Sequence, residues 1–263
     1  VLLAEVRGVA RAELLAHLLE SLQEAVQARF EEHLRRRESR EPLAYITGCR
    51  EFWSLDLRVT PDVLVPRPET ETLVEEVLRR LPGVQKGRSS GGSPRVLDLG
   101  TGSGNVALAL LAERPDLRVI ATDVSFPALA VAAENARRLG LGDRVQFLAA
   151  DWLSPFQGTG TFDVVVSNPP YILEGEWGDL PPEVAIYEPR IALLVQPNEQ
   201  LPHRAIALAS PRVLKPGGWL LMEVGADQAS DLQAALGSLG DYDRVAVAVD
   251  LQGRDRVLAA RRR

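Results

Sequence analysis

Val96-Leu97-Asp98-Leu99-Gly100-Thr101-Gly102-Ser103-Gly104-Asn105 decides how this chain is read. An apolar, strand-like run meets an acid, passes through three alternating glycines and enters a helical pattern. Glycines allow a backbone to approach a ligand closely, and a helix start offers free N–H groups and the positive end of its dipole to an anion. A dinucleotide fingerprint is the competing reading. It requires Gly-x-Gly-x-x-Gly, whereas Gly100, Gly102 and Gly104 are evenly spaced, Asn105 holds the final place, and Asp98 stands two residues ahead of the first glycine.

Downstream of this loop, strand and helix signals alternate. Strands are predicted at Arg118–Thr122, Arg144–Ala149 and Phe162–Ser167, with helices from Asn105 and from Ser125, which indicates a parallel sheet covered on both faces. A buried strand at Trp219–Val224 and a helix over about Ala226–Leu239 follow. Arg244–Val249 and Val257–Ala260 flank a Gln252-Gly253 turn, so the chain closes on a hairpin and at least one antiparallel strand.

Upstream, a helical pattern is predicted from Glu69 to Leu81, and the Gly/Ser/Pro-rich stretch Pro82–Pro94 reads as a surface loop. Phe52, Leu55, Leu57 and Val59, then Val63–Val65, suggest two extended segments about a Thr60-Pro61-Asp62 turn, a hairpin linker. Leu15, Leu19, Leu22, Val26, Phe30 and Leu34 recur at steps of three and four between Arg11 and Arg37, marking one helical face that must pack against something. The organisation expected is a helical domain over residues 1–49, with Gly48 available as a stop, a linker over 50–68 and an α/β domain over 69–263.

Composition narrows the class. The 263 residues are 46% hydrophobic, enough for one large domain plus a small one. No long uninterrupted apolar stretch occurs, and Glu5 and Arg7 interrupt the opening segment, so neither a membrane span nor a secretory leader is expected. Cys49 is the single cysteine and there are three histidines, which argues against a disulfide framework or a metal site and fits a cytoplasmic protein. A net charge of −6 disfavours nucleic acid as a direct partner. The basic run Arg35, Arg36, Arg37 and Arg40 reads as a solvated helix face.

The glycine loop after a strand-borne acid resembles motif I of the class I methyltransferases. The resemblance implies a Rossmann-like, mostly parallel sheet and S-adenosylmethionine as cofactor, with the loop, including Thr101 and Ser103, around its methionine part and Asp98 helping to orient it. At the end of the next strand Asp123 can accept both ribose hydroxyl protons, unless it caps a helix instead; Ser125 could do that capping. Asp151 and Trp152 end the third strand, where the resemblance puts groups flanking adenine, although Trp152 could equally be core.

Asn168-Pro169-Pro170-Tyr171 points to the reaction, because ligands in open α/β sheets lie beyond the carboxyl ends of strands. An amide or aromatic amine nitrogen is a poor nucleophile with a delocalised lone pair. The Asn168 side-chain oxygen, beside cofactor and acceptor alike, and the Pro169 carbonyl can each accept one N–H, aim the nitrogen and stabilise its growing positive charge. Tyr171 would pack against the planar group, with Pro170 beside it.

Asn-Pro-Pro-Tyr serves adenine-N6 and glutamine-N5 methyltransferases alike. Arg40–Gly48, Glu51-Phe52, Val63–Glu71, Glu188-Pro189, Leu214–Gly218 and Glu223-Val224-Gly225 closely resemble the release-factor glutamine methyltransferases, the HemK/PrmC family, over nearly the whole chain. The resemblance implies methylation of the glutamine in the Gly-Gly-Gln motif of peptide chain release factors, with the N-terminal domain helping to hold the factor. The linker places Leu64 near the mouth of a cleft, where it can line the glutamine slot. After Glu188-Pro189 the chain departs from the family's Gly-Gly-Asp-Gly-like turn and runs through Ile191-Ala192-Leu193-Leu194-Val195-Gln196-Pro197-Asn198. The rivals are a ribosomal-protein glutamine methyltransferase, an adenine-N6 enzyme, which would want basic surface, and a cofactor-binding regulator without catalysis.

Overall fold

The computed structural model describes residues 1–16, 21–81, 83, 93–156, 158, 160–195 and 201–263. Most of the Pro82–Pro94 stretch, Leu19, and Gln196 to Asn198 lie outside the described residues. Four helices open the chain: α1 (Leu2–Arg7), α2 (Arg11–Ala16), α3 (Glu24–Glu38) and α4 (Leu43–Thr47). The single helical face expected between Arg11 and Arg37 is therefore broken. Gln23 is extended, at φ −66° and ψ 145°, and α3 starts afresh after it. The demand that this face be covered is met only in part: α3 packs on α1 and α4, yet it buries none of its residues fully, and Leu15 and Leu34 are exposed. Gly48 ends α4 in the left-handed conformation, φ 74°, which glycine adopts without a Cβ clash.

A hairpin follows, β1 (Cys49–Phe52) with β2 (Leu55–Arg58), and its turn is not the one expected. Phe52 pairs with Leu55, so the turn is Trp53-Ser54, and Thr60 to Asp62 instead turn the chain out of β2 towards the irregular segment around Val63–Val65. Trp53 and Ser54 have φ 53° and 57°, the double left-handed geometry that matches the strands' twist. Side chains hold it there. Glu71 accepts the Trp53 N–H at 2.9 Å, Glu51 the Ser54 N–H at 2.7 Å, and Glu113 the Trp53 indole N–H at 2.8 Å.

The remaining elements are α5 (Glu71–Arg80), β3 (Arg95–Leu99), α6 (Asn105–Glu113), β4 (Arg118–Asp123), α7 (Phe126–Arg138), β5 (Val145–Ala149), β6 (Phe162–Ser167), α8 (Pro182–Tyr187), α9 (Pro202–Ala209), β7 (Leu214–Glu223), α10 (Ala229–Ser238), β8 (Tyr242–Val249) and β9 (Asp255–Arg262). Strand order in the sheet is β5-β4-β3-β6-β7-β9-β8. All pairings from β5 to β7 are parallel, and β9 runs antiparallel to both β7 and β8.

Alternation along β3 sorts the core into two layers. Val96 joins Val164, Leu221, α5 and α6 on one face, whereas Leu97 and Leu99 join Val165, Leu220, α9 and α10 on the other. With both faces covered, the irregular backbone is displaced to the carboxyl ends of the strands. There β3 has β4 on one side and β6 on the other, so the connection after β3, towards β4, and the one after β6, towards β7, leave in opposite directions and open a crevice. The helical segment and linker close over that end. Ala44 and Tyr45 pack with Val59, Val63 and α7 residues Ala128 and Val131, while Tyr45 donates to the Val63 carbonyl at 2.7 Å. The Arg35–Arg40 run is partly recruited here: Arg37 and Arg40 both reach Glu183 of α8 at 2.9 Å. No helix among the described residues is long and apolar enough to cross a membrane.

Candidate active site

The loops after β3, β4, β5 and β6 line one cleft of about 440 Å³, within the range of small-molecule sites. Gly100, Thr101, Gly102 and Ser103 come from the first loop, Asp123 and Ser125 from the second, Asp151 and Trp152 from the third, and Asn168 and Pro170 from the fourth. Leu64 and Arg67 from the linker, and Ile191, Ala192 and Leu194 from the segment after β6, complete the walls.

The glycine loop is built for proximity. Gly100, Gly102 and Gly104 have φ 68°, 56° and 84°, a region costly for residues with a Cβ. At Gly104 a Cβ would also lie 3.1 Å from Leu108 and 3.3 Å from Ala132, so this glycine serves the packing of the α6 N-terminus and does not line the cleft. Asp98 does not line it either. It sits beneath the loop, 2% exposed, accepting from the Thr101 hydroxyl at 2.7 Å and from the Ala107 N–H, and burial raises its carboxyl to about 7. Asp98 thus braces the loop from below. Ser103 lines the cleft, and its buried hydroxyl has no hydrogen-bond partner among the described residues.

Asp123 lines the cleft with its carboxylate held by two backbone N–H groups, Gly102 and Ser125, each at 2.9 Å. Capping of α7 falls to Ser125, whose hydroxyl accepts from Ala128 at 3.2 Å. A carboxylate has about four acceptor sites, so Asp123 keeps capacity for a ligand diol. Trp152 takes φ 45°, packs partly against the second core layer and borders the cleft, 3.6 Å from where a Gly100 Cβ would lie. It is core and wall at once.

Asn168 is half-buried at the crevice, with Pro169 buried behind it. Neither Pro169 nor Tyr171 contributes to the cleft wall. Tyr171 is partly buried; its carbonyl accepts from Gln228 at 2.8 Å and its ring lies beside Gly225. Burial pushes its phenol up.

Sequence reasoning on single residues missed the groups that brace the wall, with Thr70 and Arg67 themselves among its lining residues. Thr70, 1% exposed, donates to Glu223 at 2.7 Å and receives the Asn168 side-chain N–H at 3.3 Å. Arg67 pairs with Glu188, whose other oxygen accepts the Val65 N–H at 3.2 Å. These residues fall inside Val63–Glu71, Glu188-Pro189 and Glu223-Val224-Gly225, so the recurrence of those motifs was the available signal. Their meeting in space was not legible.

Residues 1–48 match the PrmC N-terminal domain family, and residues 84–178 the methyltransferase small domain family. The chain is 43% identical to the release factor glutamine methyltransferase of Cereibacter sphaeroides over 99% of its own length and 88% of that protein's. It is likewise 43% identical to the one from Moorella thermoacetica, over 100% of this chain and 90% of that protein. Among solved structures, ribosomal protein L11 methylase from Lactobacillus delbrueckii subsp. bulgaricus shares the fold, with a TM-score of 0.50 and 21% identity over 79% of this chain and 85% of that chain.

Proposed function

This chain belongs to the release factor glutamine methyltransferases, and we propose on that premise that it transfers a methyl group from S-adenosylmethionine to the side-chain amide nitrogen of the glutamine in the Gly-Gly-Gln motif of peptide chain release factors. The observation that carries the reading is that Asn168 and the glycine loop line one and the same cleft.

The residues present fit the cofactor. Ser103 offers a buried hydroxyl in search of a partner, Gly100 and Gly102 keep side chains out of the way, Asp123 keeps acceptor capacity for a diol, and Trp152 with Asp151 offers a flat apolar surface beside an acid. When bound, S-adenosylmethionine supplies an activated methyl group on a sulfonium, a leaving group that needs no acid or metal.

What this chain then supplies is orientation and electrostatics. The Asn168 Oδ1 accepts one N–H of the glutamine amide and the backbone carbonyl of Pro169, whose ring lies off the cleft wall, accepts the other, which fixes its plane and aims the nitrogen. As positive charge grows on that nitrogen, both hydrogen bonds strengthen, so they stabilise the transition state more than the ground state. Leu64 and Ile191 provide the apolar sides of the slot, and Arg67 sits at its linker side. Placement of the partner is assigned to the helical segment, which is tied to α8 through Arg37, Arg40 and Glu183.

The test is incubation with labelled cofactor and a release factor carrying Gly-Gly-Gln, beside the same factor with that glutamine replaced by alanine and a DNA control. Label confined to the intact factor is expected. Label on DNA, or equal label on both factors, would overturn the assignment.

A further inference from the structure

Three segments remote in sequence meet at Asn168, and Thr70 lines the cleft wall with it. Thr70 closes the Pro-rich linker, Asn168 follows β6, and Glu223 ends β7; Thr70 and Glu223 are 1% and 2% exposed. The Thr70 hydroxyl donates to Glu223 Oε2 at 2.7 Å, and Asn168 Nδ2 donates to the same hydroxyl oxygen at 3.3 Å. A hydroxyl has one proton, and an ionised carboxylate can only accept. That proton is therefore committed to Glu223, and the Thr70 oxygen is left to receive a donor. Of the two ends of the Asn168 amide only the NH₂ can satisfy it, which turns Oδ1 to the opposite side.

We propose that Thr70 and Glu223 are positioning residues that lock the Asn168 amide with its oxygen, and not its NH₂, toward the methyl-acceptor nitrogen. This rests on the reading of Asn168 given above. An asparagine amide is nearly symmetric in shape, so nothing steric distinguishes its two orientations. The flipped one would set NH₂ against the NH₂ of the incoming glutamine, donor against donor, and would remove the acceptor that stabilises the growing charge. The lock needs Glu223 as a carboxylate. Burial pushes its carboxyl up to about 7, and Glu69 opposes ionisation while Arg256 and Arg67 favour it, so the acceptor-only form is reached near neutral pH. Its carbonyl is held separately by the His203 ring at 2.7 Å, which leaves the side chain free to serve Thr70.

Three substitutions test the lock on the full chain with a Gly-Gly-Gln release factor. Glu223→Gln keeps the shape but can donate to Thr70, which lets the threonine proton turn to Oδ1 and reverses the polarity. Thr70→Val removes the relay, and Thr70→Ser restores it. The expected result is a fall in kcat on the order of 100-fold for Glu223→Gln and Thr70→Val, with KM and cofactor affinity within about threefold, and recovery of most of that loss in Thr70→Ser. If both variants keep kcat within about threefold of wild type while Asn168→Ala is impaired, the lock is wrong and the role of Asn168 stands. If Asn168→Ala turns over like wild type, the underlying reading fails. Parallel loss of cofactor affinity and melting temperature in Glu223→Gln and Thr70→Val would make the pair structural and overturn the proposal.

Discussion

Arg67 of the linker and Glu188, 121 residues further along the chain, form an ion pair in which the glutamate side chain is almost completely buried and the arginine one-third exposed. The pair ties the linker to the segment that carries Ile191, Ala192 and Leu194 into the cleft. Burial raises the Glu188 carboxyl, against the pull of Arg67 and of the Val65 N–H. Removing the arginine leaves that charge without its cation.

Arg67→Ala is therefore expected to destabilise the protein. Breaking a fully buried pair costs about 3–5 kcal/mol, and the partial exposure of Arg67 reduces this to roughly 1–3 kcal/mol. Urea unfolding of Arg67→Ala, Glu188→Gln and the double variant measures it. The double variant should recover part of the loss; strictly additive effects would show that the two side chains are uncoupled.

Asp123→Ala removes more than a ligand contact, because the same carboxylate holds the Gly102 N–H. Charged hydrogen bonds to a diol are worth roughly 1.5–3 kcal/mol, so affinity for S-adenosylhomocysteine should fall about 10- to 150-fold by calorimetry. Unchanged affinity would remove Asp123 from the site.

The folded-state carboxyl of Glu223 lies at about 7, above its ordinary value of 4.5. The native protein thus holds this proton over a range in which the unfolded chain has released it. Its contribution to stability is present below about pH 4.5 and is lost as pH rises through about 7. Thermal melts of the ligand-free protein should accordingly show Glu223→Gln gaining on wild type between pH 5 and 8. A difference that does not vary with pH would place the Glu223 carboxyl near its ordinary value. Taken with the polarity lock, the substitution is expected to raise stability at pH 8 while lowering turnover.

Much of this architecture could be read from local pattern. The β3 strand, its glycine loop and α6 announce themselves because a left-handed backbone at Gly100, Gly102 and Gly104 demands a residue without Cβ. The alternation from β3 to β6 and the closing hairpin followed from periodicity in the same way. The first hairpin did not, since Trp53-Ser54 carries no turn signature and is held by Glu51, Glu71 and Glu113, two of them distant. Helices α8 and α9 are short and begin at prolines, too brief for their period to stand out. Asp98 lies beneath its loop and accepts from Thr101, a placement the sequence does not reveal, because only packing distinguishes a carboxylate on the wall from one below it. Thr70 and Glu223 lie inside motifs that could be read, but their meaning arises only where two strand ends, those of β6 and β7, and the linker converge.

If Asn168 holds and stabilises the reacting amide nitrogen, its loss must slow transfer and spare binding. Single-turnover methyl transfer to a Gly-Gly-Gln release factor, at saturating cofactor and factor with the binding of each checked separately, tests it most directly. Asn168→Ala should bind both partners much as wild type does and transfer methyl more slowly by on the order of 100-fold or more. A rate near that of wild type would rule out this role for Asn168 and would leave Asn-Pro-Pro-Tyr as a structural turn, with the acceptor bound elsewhere in the cleft.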